Sequence, residues 1–88
     1  MTRSNIGAIR QLIRDTLPEF IESGMSECRF DVPDKLVEQF GFVALSTKLS
    51  VALSNEKILM KRNGYGSFID DICFSSNRDK CEFYLYFR

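Results

Sequence analysis

The last nine residues alternate between apolar and polar or amphipathic side chains. One parity consists of Cys81, Phe83, Leu85 and Phe87, and the other consists of Glu82, Tyr84, Tyr86 and Arg88. Period-two alternation in residues of high β propensity predicts a strand over 80–88 with one buried face. A strand this apolar needs a neighbouring strand beside it and a second layer beneath it.

The N-terminal segment has helical spacing instead. Its apolar residues are Ile6, Ile9, Leu12, Ile13, Leu17, Phe20 and Ile21. They cover one face of a helix, and Ser4 can serve as its N-cap. Pro18 is predicted to end or kink this helix near Thr16, and Gly24 is the predicted stop. A short extended segment over 28–32 follows. A second helix is predicted over 33–40, with Pro33 at its first position and Gly41 as its stop.

Residues 42–53 fit two patterns. A strand is indicated by a shared odd parity of Val43, Leu45, Leu49, Val51 and Leu53, whereas a helix is indicated by the spacing of Leu45, Leu49, Ala52 and Leu53. Thr47, Val51 and the serines favour the strand, because β-branched side chains and serine are weak helix formers.

The remaining segments complete a predicted sheet. A return strand over 57–62, a hairpin turn at Asn63-Gly64, a strand over 67–74 and a turn over 76–79 lead to the final strand. The sequence therefore predicts an α+β fold in which two N-terminal helices pack on one face of a four-stranded antiparallel meander sheet. Residues 1–88 form a single compact domain in this interpretation.

Composition narrows the classes of function. The 88 residues contain 12 basic and 12 acidic side chains and no histidine. Zero net charge provides no long-range attraction to nucleic acid or membrane, and histidine is the commonest general acid, general base and metal ligand. We therefore expect a non-enzymatic protein without metal or cofactor. Without a long apolar run, we also expect a cytoplasmic protein with no membrane association.

The three cysteines are Cys28, Cys73 and Cys81. An odd number at irregular spacing favours reduced thiols used as small core residues. A disulfide between Cys73 and Cys81 across a hairpin is the alternative.

Three arginines form the most localised charge feature of the chain. Arg3, Arg10 and Arg14 fall within about 40° of one another around the first helix. They are either a solvated flank of the buried face or a basic ridge that contacts phosphates or an acidic protein surface.

Aromatic side chains suggest a second surface. Tyr84, Tyr86 and Arg88 lie on the strand face opposite the phenylalanines, and Tyr65 lies at the predicted hairpin tip. In one interpretation the two tyrosines only cover the open sheet face. In the other they are binding residues, since Tyr and Arg dominate the energetics of protein interfaces. If the last strand lies at an edge, it can also pair with a second copy to form a homodimer.

These features favour a small protein-binding module that acts as a stoichiometric inhibitor or adaptor of a larger protein. By analogy with other small domains that lack motifs, a phage or plasmid origin and a host defence target are expected. The alternative is a nucleic-acid-binding regulator that uses Arg3, Arg10 and Arg14.

Overall fold

Three α-helices and one short strand lie within residues 2–62, and a 3-10 helix and two further strands follow. The structure is a computed structural model that describes the backbone of residues 2–88 and the side chains of residues 6–88. The elements in chain order are α1 (Thr2–Ser23), β1 (Glu27–Phe30), α2 (Asp34–Phe40), α3 (Phe42–Arg62), a 3-10 helix (Ser67–Asp71), β2 (Ile72–Asn77) and β3 (Glu82–Phe87). The α+β class is confirmed. The described residues form three α-helices and three strands, however, where two helices and four strands were predicted.

The sheet is antiparallel with the order β1-β3-β2. The final strand therefore lies in the centre, where Phe83 is opposite Phe30 on one side and Leu85 is opposite Phe74 on the other. Both edges of β3 are hydrogen-bonded to neighbours within the chain. The predicted homodimer through the last strand consequently has no free strand edge to use, because that prediction required β3 to lie at the border of the sheet.

The prediction of strands over 42–53 and 57–62 was wrong, since both segments belong to the single helix α3. The buried residues of α3 are Leu45, Leu49, Ala52, Leu53 and Met60. Their spacing of three, four and seven residues places them on one helical face. Packing of this face against the core outweighs the weak helix propensity of Thr47, Val51 and the serines.

The Asn63-Gly64 pair ends α3 and does not form a hairpin. Gly64 has φ of 100°, and Asn63 is the last residue of the helical turn. The Tyr65 N–H donates to the Met60 carbonyl at 3.1 Å and the Gly64 N–H donates to the Lys61 carbonyl at 3.3 Å. These two bonds form a Schellman motif, in which glycine supplies the left-handed conformation that also makes Asn-Gly common in hairpins.

The prediction over 67–74 was also wrong in part, because residues 67–71 form the 3-10 helix and only Ile72 onward is a strand. Asp70 and Asp71 therefore do not lie within a strand. Lys61 holds Asp70 by contacts of 2.9 and 3.0 Å, and Lys57 donates to the Ile72 carbonyl at 2.7 Å. These contacts fix the 3-10 helix and the start of β2 against α3.

Helix α1 continues through Pro18, where an end or a kink was predicted near Thr16. Proline removes one hydrogen bond from a helix interior. On either side of it Ile13, Leu17 and Phe20 are buried, so packing of this face stabilises the helix across the missing bond. The predicted stop is confirmed at Gly24, which follows the helix with φ of 71°. The prediction of Ser4 as the N-cap was wrong, because α1 begins at Thr2 and Ser4 lies within the helix. The Ser4 side chain lies outside the described residues.

The core lies between the helices and one face of the sheet. Its least exposed members include Ile13 and Leu17 from α1, Leu45 from α3, and Phe83 and Leu85 from β3. Gly41, with φ of 80°, joins α2 to α3 at an angle of 109° and allows both helices to contact this core. Within the described chain no single helix is long and apolar enough to cross a membrane, while α2 and α3 pass that test only when taken together as a bent pair.

Two glycine substitutions test the end of α3. Gly64→Ala is expected to reduce the free energy of unfolding by about 1 kcal/mol, because alanine at φ of 100° is strained. Gly7→Ala is the matched control. It places a methyl group in open space inside α1 and is expected to stabilise by about 0.5–1 kcal/mol. Urea unfolding followed by circular dichroism measures both values, and equal stability of the two variants would contradict the assigned helix end.

Candidate functional site

The sheet has one face that the helices leave uncovered. The strand register brings eight side chains to this face, namely Glu27, Arg29, Cys73, Ser75, Asn77, Glu82, Tyr84 and Tyr86. The helices pack against the opposite face, which carries Phe83 and Leu85. Arg29 and Ser75, the neighbours of Tyr84 on the two flanking strands, are both exposed. We call this surface the open face.

Tyr84 is held in place on the open face by a charged network. Its hydroxyl donates to one carboxylate oxygen of Glu82, and Arg29 Nη1 lies 2.9 Å from the other oxygen. The hydrogen bond from Tyr84 and, to a lesser extent, the Arg29 guanidinium hold the pKa of Glu82 below its ordinary value. The same carboxylate raises the pKa of Tyr84. The phenol therefore remains a neutral donor, and its ring is restrained before any partner arrives.

Arg88 and Tyr65 are two further predicted binding residues, and they lie in different places. Arg88 lies beside the open face, because its side chain is exposed and its backbone N–H continues the pairing to the Asp71 carbonyl at 2.8 Å. Tyr65 is exposed in the loop after α3 and does not lie at a hairpin tip. The strand register brings together Tyr84, Tyr86 and Arg88, but it gives Tyr65 no place on the open face.

The arginines of α1 lie on a different surface, beside α3. Arg14 Nε is 3.3 Å from a carboxylate oxygen of Glu56, whereas Arg10 has no ion pair among the described residues. The side chain of Arg3 lies outside the described residues. The Glu56 carboxylate partly neutralises the predicted basic ridge, which weakens its attraction for phosphates.

Arg29 is a charged residue of the open face that the sequence-based prediction missed. A signal for it existed, since Arg29 alternates with Cys28 and Phe30 as expected for a strand. Its role depends on pairing between β1 and β3, which brings together residues 53 positions apart. Local periodicity carries no information on which strands become neighbours.

The cysteines do not approach one another within the described fold. Cys73 is opposite Tyr86, whereas Cys81 lies in the turn before β3 with φ of 52°. Cys81 precedes Tyr86 by five positions, which corresponds to about 16 Å along a strand. This geometry excludes the alternative of a Cys73–Cys81 disulfide. Cys28 points toward the core, where burial raises the pKa of its thiol and lowers its reactivity.

Among the described residues, no group of three Asp, Glu or Cys side chains is arranged to hold a metal ion. Comparison of the chain with protein-family models, with curated proteins and with solved structures gave no match.

The Glu82 network makes a testable prediction about pH. Tyr84→Phe removes the hydrogen bond that is the largest cause of the lowered Glu82 pKa, so this pKa should rise toward its ordinary value. Stabilisation from a lowered carboxyl pKa is present above the ordinary value and is lost as pH falls through the folded value. Tyr84→Phe should therefore make stability less sensitive to acid.

An NMR titration of the Glu82 side-chain carboxyl carbon measures this shift directly. Tyr86→Phe is the control, because no hydrogen bond from Tyr86 contributes to the Glu82 pKa. If the Glu82 pKa stays low in Tyr84→Phe but rises in Arg29→Gln, the ion pair rather than the phenol is the main cause.

Proposed function

We propose that this chain is a non-catalytic protein-binding module that acts as a stoichiometric inhibitor or adaptor of a larger protein. The observation that carries the proposal is the position of β3. As the central strand it directs Tyr84 and Tyr86 onto the open face, where Arg29 is their neighbour and Arg88 follows at the strand end.

The chemistry of these side chains suits protein recognition. Tyrosine and arginine are the residue types most often found at energetic hot spots of interfaces. A tyrosine contributes a large contact area at a small cost in conformational entropy. For Tyr84 that cost is reduced further, because the bond to Glu82 orders the ring in the free protein.

The dimensions of the open face limit how it binds. Strands of six residues are about 20 Å long, and three strands are about 10–15 Å wide. The resulting area of roughly 200–300 Å² is less than half of the roughly 800 Å² that a standard interface buries on each partner. A stable complex must therefore include side chains around the open face, among which Arg88 and the turn over 78–81 are the nearest in the chain.

The proposal includes a reducing compartment such as the cytoplasm. A secreted domain of this size commonly depends on disulfides for stability. Here Cys73 and Cys81 are too far apart to bond, and Cys28 lies on the other face of the sheet from Cys73. The packed core has to stabilise the fold without such a bond.

Affinity capture tests the proposal. Wild-type protein is immobilised and exposed to lysate of its native host, with and without nuclease, at low and at moderate salt. We expect a larger protein to be retained through the open face, with a host defence protein as the proposed target. Tyr84→Ser combined with Tyr86→Ser should weaken this binding by about 100-fold or more, since two hot spots are removed.

Arg10→Glu combined with Arg14→Glu is the control on the other surface and should retain the same protein. Circular dichroism must show that both variants are folded, and calorimetry should give one copy of the chain per target. Loss of binding only in the arginine variant would reject the open face. Retention of nucleic acid alone in the absence of nuclease, lost as salt rises, would favour the nucleic-acid-binding alternative.

A further inference from the structure

Helices α1 and α3 lie side by side and leave a groove along their outer surface. Two cavities of about 310 and 300 Å³ follow one another along it and share Arg10, Ala52 and Asn55. Ile6 lies near Thr47 at one end and Arg14 lies near Leu59 at the other, so the helices run in the same direction. Residues 47–59 span about 18 Å, which is the length of roughly three helical turns.

The groove is lined by apolar side chains that are not part of the core. Val51 is 55% exposed and Ile58 is 53% exposed, and Ile6 and Leu59 beside them are also exposed. A helix that packs on one side normally carries polar residues on the other. The outer surface of α3 instead carries two large exposed apolar residues, Val51 and Ile58, seven residues apart among polar residues such as Asn55.

The charged residues around the groove are mainly basic. Arg10, Arg14 and Lys48 line the two cavities together with a single carboxylate, Glu56. Three cations against one anion leave a local charge of about +2, although the whole chain has none. Glu56 pairs with Arg14, and Lys48 lies 5.2 Å from the centre of the Phe40 ring. Arg10 has no ion pair among the described residues, so no carboxylate offsets its charge.

Apolar lining and basic charge together restrict the occupant. A second copy of the chain placed on the same surface would bring its own basic side chains against these, which is unfavourable. A nucleic acid would satisfy the charge but would leave Val51 and Ile58 in water. A helix with apolar residues at positions i, i+3, i+4 and i+7 and carboxylates on both flanks satisfies both requirements.

We propose that this groove is a second protein-binding site, which accepts an acidic amphipathic helix of a partner. It lies on the helical side of the molecule and is independent of the open face. A chain with both surfaces can join two proteins, so the proposal goes beyond binding of a single target.

A displayed library of helical peptides tests the proposal. The apolar positions i, i+3, i+4 and i+7 are fixed and the flanking positions are randomised among acidic, basic and neutral residues. Folded wild-type protein should enrich peptides whose flanks are rich in Asp and Glu. Val51→Asp combined with Ile58→Asp should weaken their binding at least tenfold.

Val43→Asp combined with Ser50→Asp is the matched control. It adds the same charge at exposed positions about 80° around α3 and should bind the peptides as wild type does. Arg10→Glu combined with Lys48→Glu should reverse the selection toward basic peptides. Tyr84→Ser combined with Tyr86→Ser should change nothing, so that failure of this site and failure of the open face are distinguished.

Several results would overturn the proposal. They are the absence of enriched peptides, enrichment without an acidic preference, and peptide-induced NMR shifts on β3 rather than on α3. Sedimentation that reveals a dimer abolished by Val51→Asp with Ile58→Asp would assign the groove to a second copy. Binding of a single-stranded oligonucleotide at low salt, lost in Arg10→Glu with Lys48→Glu while no acidic helix is selected, would assign it to nucleic acid.

Discussion

Phe83 joins the parts of this fold that are far apart in the sequence. Its ring lies 6.3 Å from that of Phe30 in β1, 6.2 Å from that of Phe74 in β2 and 5.1 Å from that of Phe42 at the start of α3. Each aromatic pair contributes about 0.5–1.5 kcal/mol beyond the burial of its surface. One side chain in the central strand thus links both neighbouring strands and the helix that covers them. Four residues further along β3, Phe87 stacks on Phe20 at 5.0 Å and ties the same strand to α1.

The open face follows from this packing. Side chains alternate between the two sides of a strand, so burial of Phe83 and Leu85 forces Tyr84 and Tyr86 outward. On a central strand, the outward side chains are also flanked by those of two neighbouring strands. Arg29 reaches Glu82 from β1, and Glu82 in turn holds Tyr84. The arrangement that stabilises the core therefore also orders the residues that we propose bind a partner.

Part of this structure could be predicted from local patterns. The strand at 80–88, the amphipathic α1 and the glycine stops at Gly24 and Gly41 all depend on residues close in the chain. The position of β3 in the sheet and its pairing with β1 depend on contacts more than fifty residues apart, and no local signal encodes them. The outward face of Tyr84 and Tyr86 was accordingly predictable, whereas their charged neighbour on β1 was not.

The error over 42–53 has a physical cause that bears on the groove. The buried face of α3 uses Leu45, Leu49 and Leu53, which already share odd parity. Val43 and Val51 completed the apparent strand pattern, yet both are exposed in the folded helix. A helix that served only this core would carry polar residues there and would show a clear helical period. The two valines that obscured the helical period are therefore not part of the buried core. Val51 is also one of those that line the groove beside α1, where binding of a partner helix would explain an apolar side chain.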